Sequence, residues 1–142
     1  MNKVQKTRID LAVEQLDVAL ELFLDKRSYV SALTLAGAAE EILGKALNLQ
    51  SRSNALSRWH GQVDEVWGVP WKEYVQKTNK ARNAAKHLFS NKELMVDFNP
   101  ADEAVWMLLR ACENYELLLL DYEKTDRMWE FEEWFHNMIL NA

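Results

Sequence analysis

Apolar residues recur at helical spacing along almost the whole chain, and no segment sustains a period-two alternation. The spacing predicts a first helix over residues 3–25, with Ile9, Ala12, Val13, Leu16, Ala19, Leu20 and Phe23 on one stripe and charges opposite. A short polar break at residues 25–28 leads to a second helix over residues 28–49. There Ala32, Leu35, Ala36, Ala39, Ile42, Leu43, Ala46 and Leu47 share a face. The other faces between residues 29 and 39 are also apolar or small, so this helix is expected at the centre of the fold. Leu33, Gly37, Glu40 and Gly44 form a second line on it. Glycine inside a helix costs about 1 kcal/mol relative to alanine. Two glycines on one line therefore point to another backbone coming close.

Residues 50–70 read as an insert between core helices. Ser53 is placed to cap a short helix to about Val66, which Gly68 and Pro70 then stop. A third core helix is predicted over residues 71–89, with Trp71, Tyr74, Thr78, Ala81, Ala85 and Leu88 on one face. Residues 90–98 read as a loop. Asn99 as cap, Pro100 at the first helical position and acids in the first turn start a fourth helix. It is expected to run to about Tyr122, with Ala101, Ala104, Val105, Leu108, Cys112, Tyr115 and Leu119 inward. A last helix over about 125–140 carries Met128, Phe131, Phe135, Met138 and Ile139 on one side, flanked by Trp129 and Trp134. The fold class expected is all-α, an up-and-down bundle of four to five helices in a single domain spanning residues 1–142.

Composition agrees with a packed helical domain. Hydrophobic residues make up 49% of the chain, and Gly and Pro number only four and two. The lone cysteine, Cys112, excludes an internal disulfide and fits a reducing, cytoplasmic setting. The N-terminal residues mix charges and lack the apolar core of a signal peptide. The apolar stretch at residues 29–47 is cut by Glu40 and Glu41, so no membrane span is expected.

Charge is unevenly distributed. The net charge of −5 argues against a general nucleic-acid coat. Yet between Lys72 and Glu93 six basic side chains face two acidic ones, a local net charge of +4, whereas residues 101–142 carry −7. The basic island surrounds the segment "KARNAAKHLF", residues 80–89.

Several chemistries can be set aside. There is no glycine-rich phosphate loop and no nucleophile elbow around a serine. One Cys and three scattered His do not build a standard zinc site. A helical di-iron centre needs two Glu-x-x-His motifs, and the chain has one, Glu133 to His136. No metal site and no cofactor are expected. Cys112 falls in an apolar stripe and reads as core, and His60 reads as a surface or partly buried residue.

On a helix, the apolar face of the segment centres between Ala81 and Ala85, which places Asn83 and His87 on the opposite, polar face with Arg82 at its flank. Arg82-Asn83-Ala84-Ala85-Lys86-His87 resembles the Arg-x4-6-His motif of the HEPN superfamily (higher eukaryotes and prokaryotes nucleotide-binding domains). The polar residue that the family usually carries after the arginine is matched by Asn83. The Ala- and Glu-rich stretch at residues 29–47 is similar to the family's long second helix, and the order of elements over residues 3–122 also fits.

The resemblance implies metal-independent endoribonuclease chemistry, as in toxins or defence effectors, with Arg82, Asn83 and His87 as catalytic residues. Histidine exchanges protons with a ribose 2′-OH or a leaving 5′-oxygen near neutral pH. Arginine grips a phosphate and stabilises charge developing there. Lys80 and Lys86 are then substrate-binding residues within the basic island. The resemblance also implies RNA or a nucleotide as ligand, a homodimer near the third helix, and an antitoxin or other protein as partner. Glu40 either reaches solvent past the glycines or, if it stays at that depth, needs a cationic or hydrogen-bonding partner. By family topology that partner is Arg82, or else His87, which makes Glu40 a support behind the phosphate site. The alternative is a non-catalytic module of the same fold that binds a protein or nucleotide.

Overall fold

The structure, a computed structural model, describes residues 1–60, 68, 70–88, 94–118 and 123–142. Among these residues the chain forms six helices and no strand: α1 (Arg8–Leu24), α2 (Tyr29–Leu49), α3 (Ala55–Arg58), α4 (Trp71–Ala84), α5 (Pro100–Leu117) and α6 (Asp126–Leu140). The protein is an all-α bundle, and one apolar cluster joins residues of every helix except the short α3.

Helix α1 starts later than the spacing alone predicts because a reciprocal cap fixes its first turn. The Asp10 amide donates to Thr7 Oγ1 and the Thr7 amide donates to Asp10 Oδ2, each at 3.0 Å. Its expected stripe is inward: Ala12, Leu16, Ala19, Leu20 and Phe23 are buried. Helix α2 is central, packed chiefly against α1 and α5. Both of its predicted lines are covered, and Leu33, Gly37, Glu40 and Gly44 are all buried. It ends at a left-handed residue, Ser51 (φ 55°), where the Arg52 amide donates to the Leu47 carbonyl at 3.0 Å.

Asn54, rather than Ser53, caps α3, with its Oδ1 accepting from the Ser57 amide at 2.9 Å. The predicted continuation to Val66 lies outside the described residues. Helix α4 begins at Trp71 as expected but stops at Ala84, short of the expected residue 89. Past that point Lys86, His87 and Leu88 are exposed, and Leu88 keeps 63% of its surface instead of turning inward. A helical turn with nothing to bury lacks the tertiary packing that sustains most helices in proteins.

Helix α5 starts as predicted. Asn99 Oδ1 accepts from the amides of Ala101 and Asp102, and Pro100 occupies the first turn. It ends at Leu117, and the expected inward Leu119 and the end near Tyr122 lie outside the described residues. Helix α6 docks through Met128 and Phe131, with Phe23 of α1 meeting Phe131 edge-on at 5.8 Å and Trp134 at 4.9 Å. The expected stripe is not covered along its whole length. Met138 and Ile139 are 43% and 55% exposed, because α6 has run past the elements it packs on.

Among the described residues, no helix is long and apolar enough to cross a membrane.

Candidate functional site

The buried line of α2 explains how a charge is placed inside the bundle. Glu40 is 5% exposed, and its two carboxylate oxygens go to different helices. Oε1 accepts from Arg110 Nη2 of α5 at 2.7 Å, and Oε2 accepts from Arg82 Nη1 of α4 at 3.4 Å. The contact expected between Glu40 and Arg82 is therefore present. Arg110 is 1% exposed, and Glu40 is its described hydrogen-bond partner. The Arg82 side chain keeps 16% of its surface, so it is less deeply buried than Arg110.

The two glycines make room for side chains rather than for the backbone that their spacing was expected to admit. A Cβ on Gly37 would lie 2.8 Å from both Cγ and Cδ of Arg82, inside the limit of real carbon contacts. A Cβ on Gly44 would lie 3.3 Å from Nδ2 of Asn114 and 3.6 Å from Nδ2 of Asn54. Asn114 is fully buried and ties three elements together. Its Nδ2 donates to the Glu40 carbonyl at 3.2 Å, and its Oδ1 accepts from the Ala55 amide at the start of α3 at 2.8 Å.

A shallow cleft of about 150 Å³ opens over this network. Arg82, Arg110, Glu40 and Asn79 form part of its wall, with Glu41, Lys45, Asn48 and Asn54 around them. Glu41 sits below the usual carboxylate range. The hydrogen bond from Lys45, at 3.1 Å, is the largest cause, opposed by desolvation and reinforced by the charges of Lys45, Arg82 and Lys86. The field of Lys86 thus reaches the rim of the cleft, although its side chain points into solvent.

The predicted site residues are gathered only in part. Arg82 and Glu40 meet in the cleft. Lys80, Asn83, Lys86 and His87 are exposed and do not line it. The expectation of Asn83 and His87 on one helical face does not hold as stated, because α4 ends between them. They remain linked through the backbone: the His87 amide donates to the Asn83 carbonyl at 2.9 Å, a bond of helical spacing that spans the end of α4.

Arg110 and Asn114 were missed by the sequence reading, which took the line of Leu108, Cys112, Tyr115 and Leu119 as the inward face of α5. Their signal is spacing. Met107, Arg110 and Asn114 follow one another at the three-then-four step that relates Gly37, Glu40 and Gly44 on α2. Cys112 is half-buried against the core, and desolvation raises its thiol to about 12, with Glu116 adding to the effect. Among the described residues, no group of three or more His, Cys, Asp or Glu is arranged to hold a metal ion.

Scans of the chain against protein-family models, curated proteins and solved structures find no match.

Proposed function

We propose that the chain is a HEPN-type, metal-independent endoribonuclease that uses Arg82, Asn83 and His87. The observation that carries this reading is the seating of Arg82. Its stem lies in a slot left by Gly37, its guanidinium is held by a buried carboxylate, and the residue lines a polar cleft. A flexible arginine fixed in this way is prepared to grip a phosphate at low entropic cost. The motif supplies the rest. His87, one turn further on, takes the proton from the attacking ribose 2′-OH as the oxygen bonds to phosphorus. The bond to the 5′-oxygen breaks, and that oxygen leaves as a hydroxyl after receiving a proton from the His87 imidazolium or from water. Asn83 orients the phosphate or the imidazole. The products are a 2′,3′-cyclic phosphate and a 5′-OH. A homodimer through the α4 surface brings two such motifs together and concentrates the basic island, with Lys80 and Lys86 on the RNA backbone.

The separation of Asn83 and His87 from the cleft of a single chain favours a second reading, a non-catalytic module that binds a nucleotide or a protein at Arg82. Cleavage of RNA by the purified protein in EDTA, beside His87→Ala and Arg82→Ala, decides between them. The first reading requires cleavage by the wild type, cyclic-phosphate ends and loss of activity in both variants. An inert wild type that still binds a nucleotide leaves the second.

A further inference from the structure

Arg110 forms part of the cleft wall but is only 1% exposed, so it offers a ligand far less surface than Arg82 does. It nevertheless makes the shorter of the two contacts with the carboxylate that Arg82 shares, 2.7 Å against 3.4 Å. We infer that Arg110 is a positioning residue: by engaging one oxygen of Glu40, it keeps that carboxylate from closing a two-point pair with Arg82 and so leaves the Arg82 guanidinium available to an anion. The inference deepens the proposed function and rests on its assignment of Arg82 to a phosphate.

Two guanidinium groups compete for the two oxygens of Glu40. A carboxylate and a guanidinium left alone in a buried place form two parallel hydrogen bonds, the strongest geometry open to them. Glu40 does not do this with Arg82. Its Oε1 is taken from the opposite side by α5, and only Oε2 faces α4. The backbone of Glu40 is held as well, by Asn114 on its carbonyl. Arg82 in turn lies close against Gly37, in space that a Cβ there would fill. Removing Arg110 frees Oε1. Glu40 then takes Arg82 at two points and withdraws it from the cleft. The charge count points the same way: two cations around one buried carboxylate leave one positive charge for a ligand, and loss of Arg110 leaves none.

The test uses the whole protein and an oligouridylate carrying 2′-O-methyl groups, which cannot be cleaved through the 2′-oxygen. Binding is read by fluorescence anisotropy, and the Arg82 Nε–H resonance, identified by its loss in Arg82→Ala, is followed by NMR on the protein alone. Arg110→Met is expected to weaken binding about tenfold, the low end for groups that orient a ligating residue from behind. It is also expected to move the Arg82 resonance. Arg110→Met/Glu40→Gln is expected to recover binding and return the resonance toward wild type, because the amide no longer captures Arg82. A merely structural role for Arg110 predicts no such recovery. Wild-type binding and an unmoved resonance in Arg110→Met overturn the inference, as does a double variant that binds no better than the single one. If Arg110→Met does not fold, Glu40→Gln and the double variant carry the test. Each must bind the probe at least as well as wild type, and weaker binding in the folded double variant overturns the inference. Failure of the proposed function looks different: the probe is not bound, or Arg82→Ala binds it unchanged, and the resonance then decides on Arg110 by itself.

Discussion

The stem of Arg82 crosses Gly37 so closely that a Cβ there would stand 2.8 Å from its Cγ and Cδ. The glycine is thus matched to one side chain on another helix. Gly37→Ala should gain about 1 kcal/mol of helix propensity and lose about as much by displacing that stem. In an Arg82→Ala background the obstruction is gone, and the same substitution should stabilise by about 1 kcal/mol. Urea denaturation of the four proteins of this cycle measures the coupling. Equal effects of Gly37→Ala in both backgrounds would show that the slot is unrelated to Arg82.

Glu40 and Arg82 should differ sharply in cost. Glu40→Ala strands Arg110, which is 1% exposed, and should destabilise by about 3–5 kcal/mol. Arg82→Ala leaves Glu40 still paired with Arg110 at 2.7 Å and removes a side chain that is 16% exposed, so its cost should be clearly smaller. Chemical denaturation midpoints give the order, and the reverse order would contradict the assignment of Arg110 as the main partner.

Asn114→Ala should cost about 2 kcal/mol, because it leaves the buried Ala55 amide without its acceptor. The loss should also be local. Hydrogen exchange at the Ala55 amide should accelerate before that of the α2 core, since α3 is tied to α5 through this bond. Unchanged protection at Ala55 would mean that α3 is held by something else.

Cys112 gives a pH test with a defined sign. Its thiol is raised from the usual 9.0 to about 12 in the folded state, chiefly by burial. Between those values the unfolded chain loses a proton that the folded chain keeps, so stability falls as pH rises. Wild type should lose up to about 1.4 kcal/mol per pH unit more than Cys112→Ala across that window. Parallel pH dependence of the two unfolding midpoints would show that the thiol is not buried as described.

The bundle was legible because its core obeys helical spacing. Leu16, Ala36, Leu43 and Leu108 fall on predicted stripes and are buried. Glu40 was legible as a charge needing a partner because its line also carried two glycines. What approached those glycines was not, since spacing reports a lack of bulk without saying whether backbone or side chain fills it. Arg110 was hidden for a related reason. A lone arginine among apolar residues looks like a solvent-facing position until a carboxylate from another helix is seen beneath it. The end of α4 was misjudged because Ala84 and Ala85 favour a helix locally. Beyond them Lys86, His87 and Leu88 are exposed, and side chains that stay exposed add little of the burial that sustains a helix.

The shared carboxylate also constrains how this interior can diverge. Replacing Glu40 by an apolar residue strands one buried cation, and replacing Arg110 redirects the carboxylate onto Arg82. Neither single step is neutral, yet an apolar pair at both positions restores a consistent core, as exchanges of buried ion pairs for hydrophobic residues often do. The two positions are therefore expected to change together, across a valley of less fit intermediates. Lineages that cross it would keep the bundle while giving up the fixed Arg82.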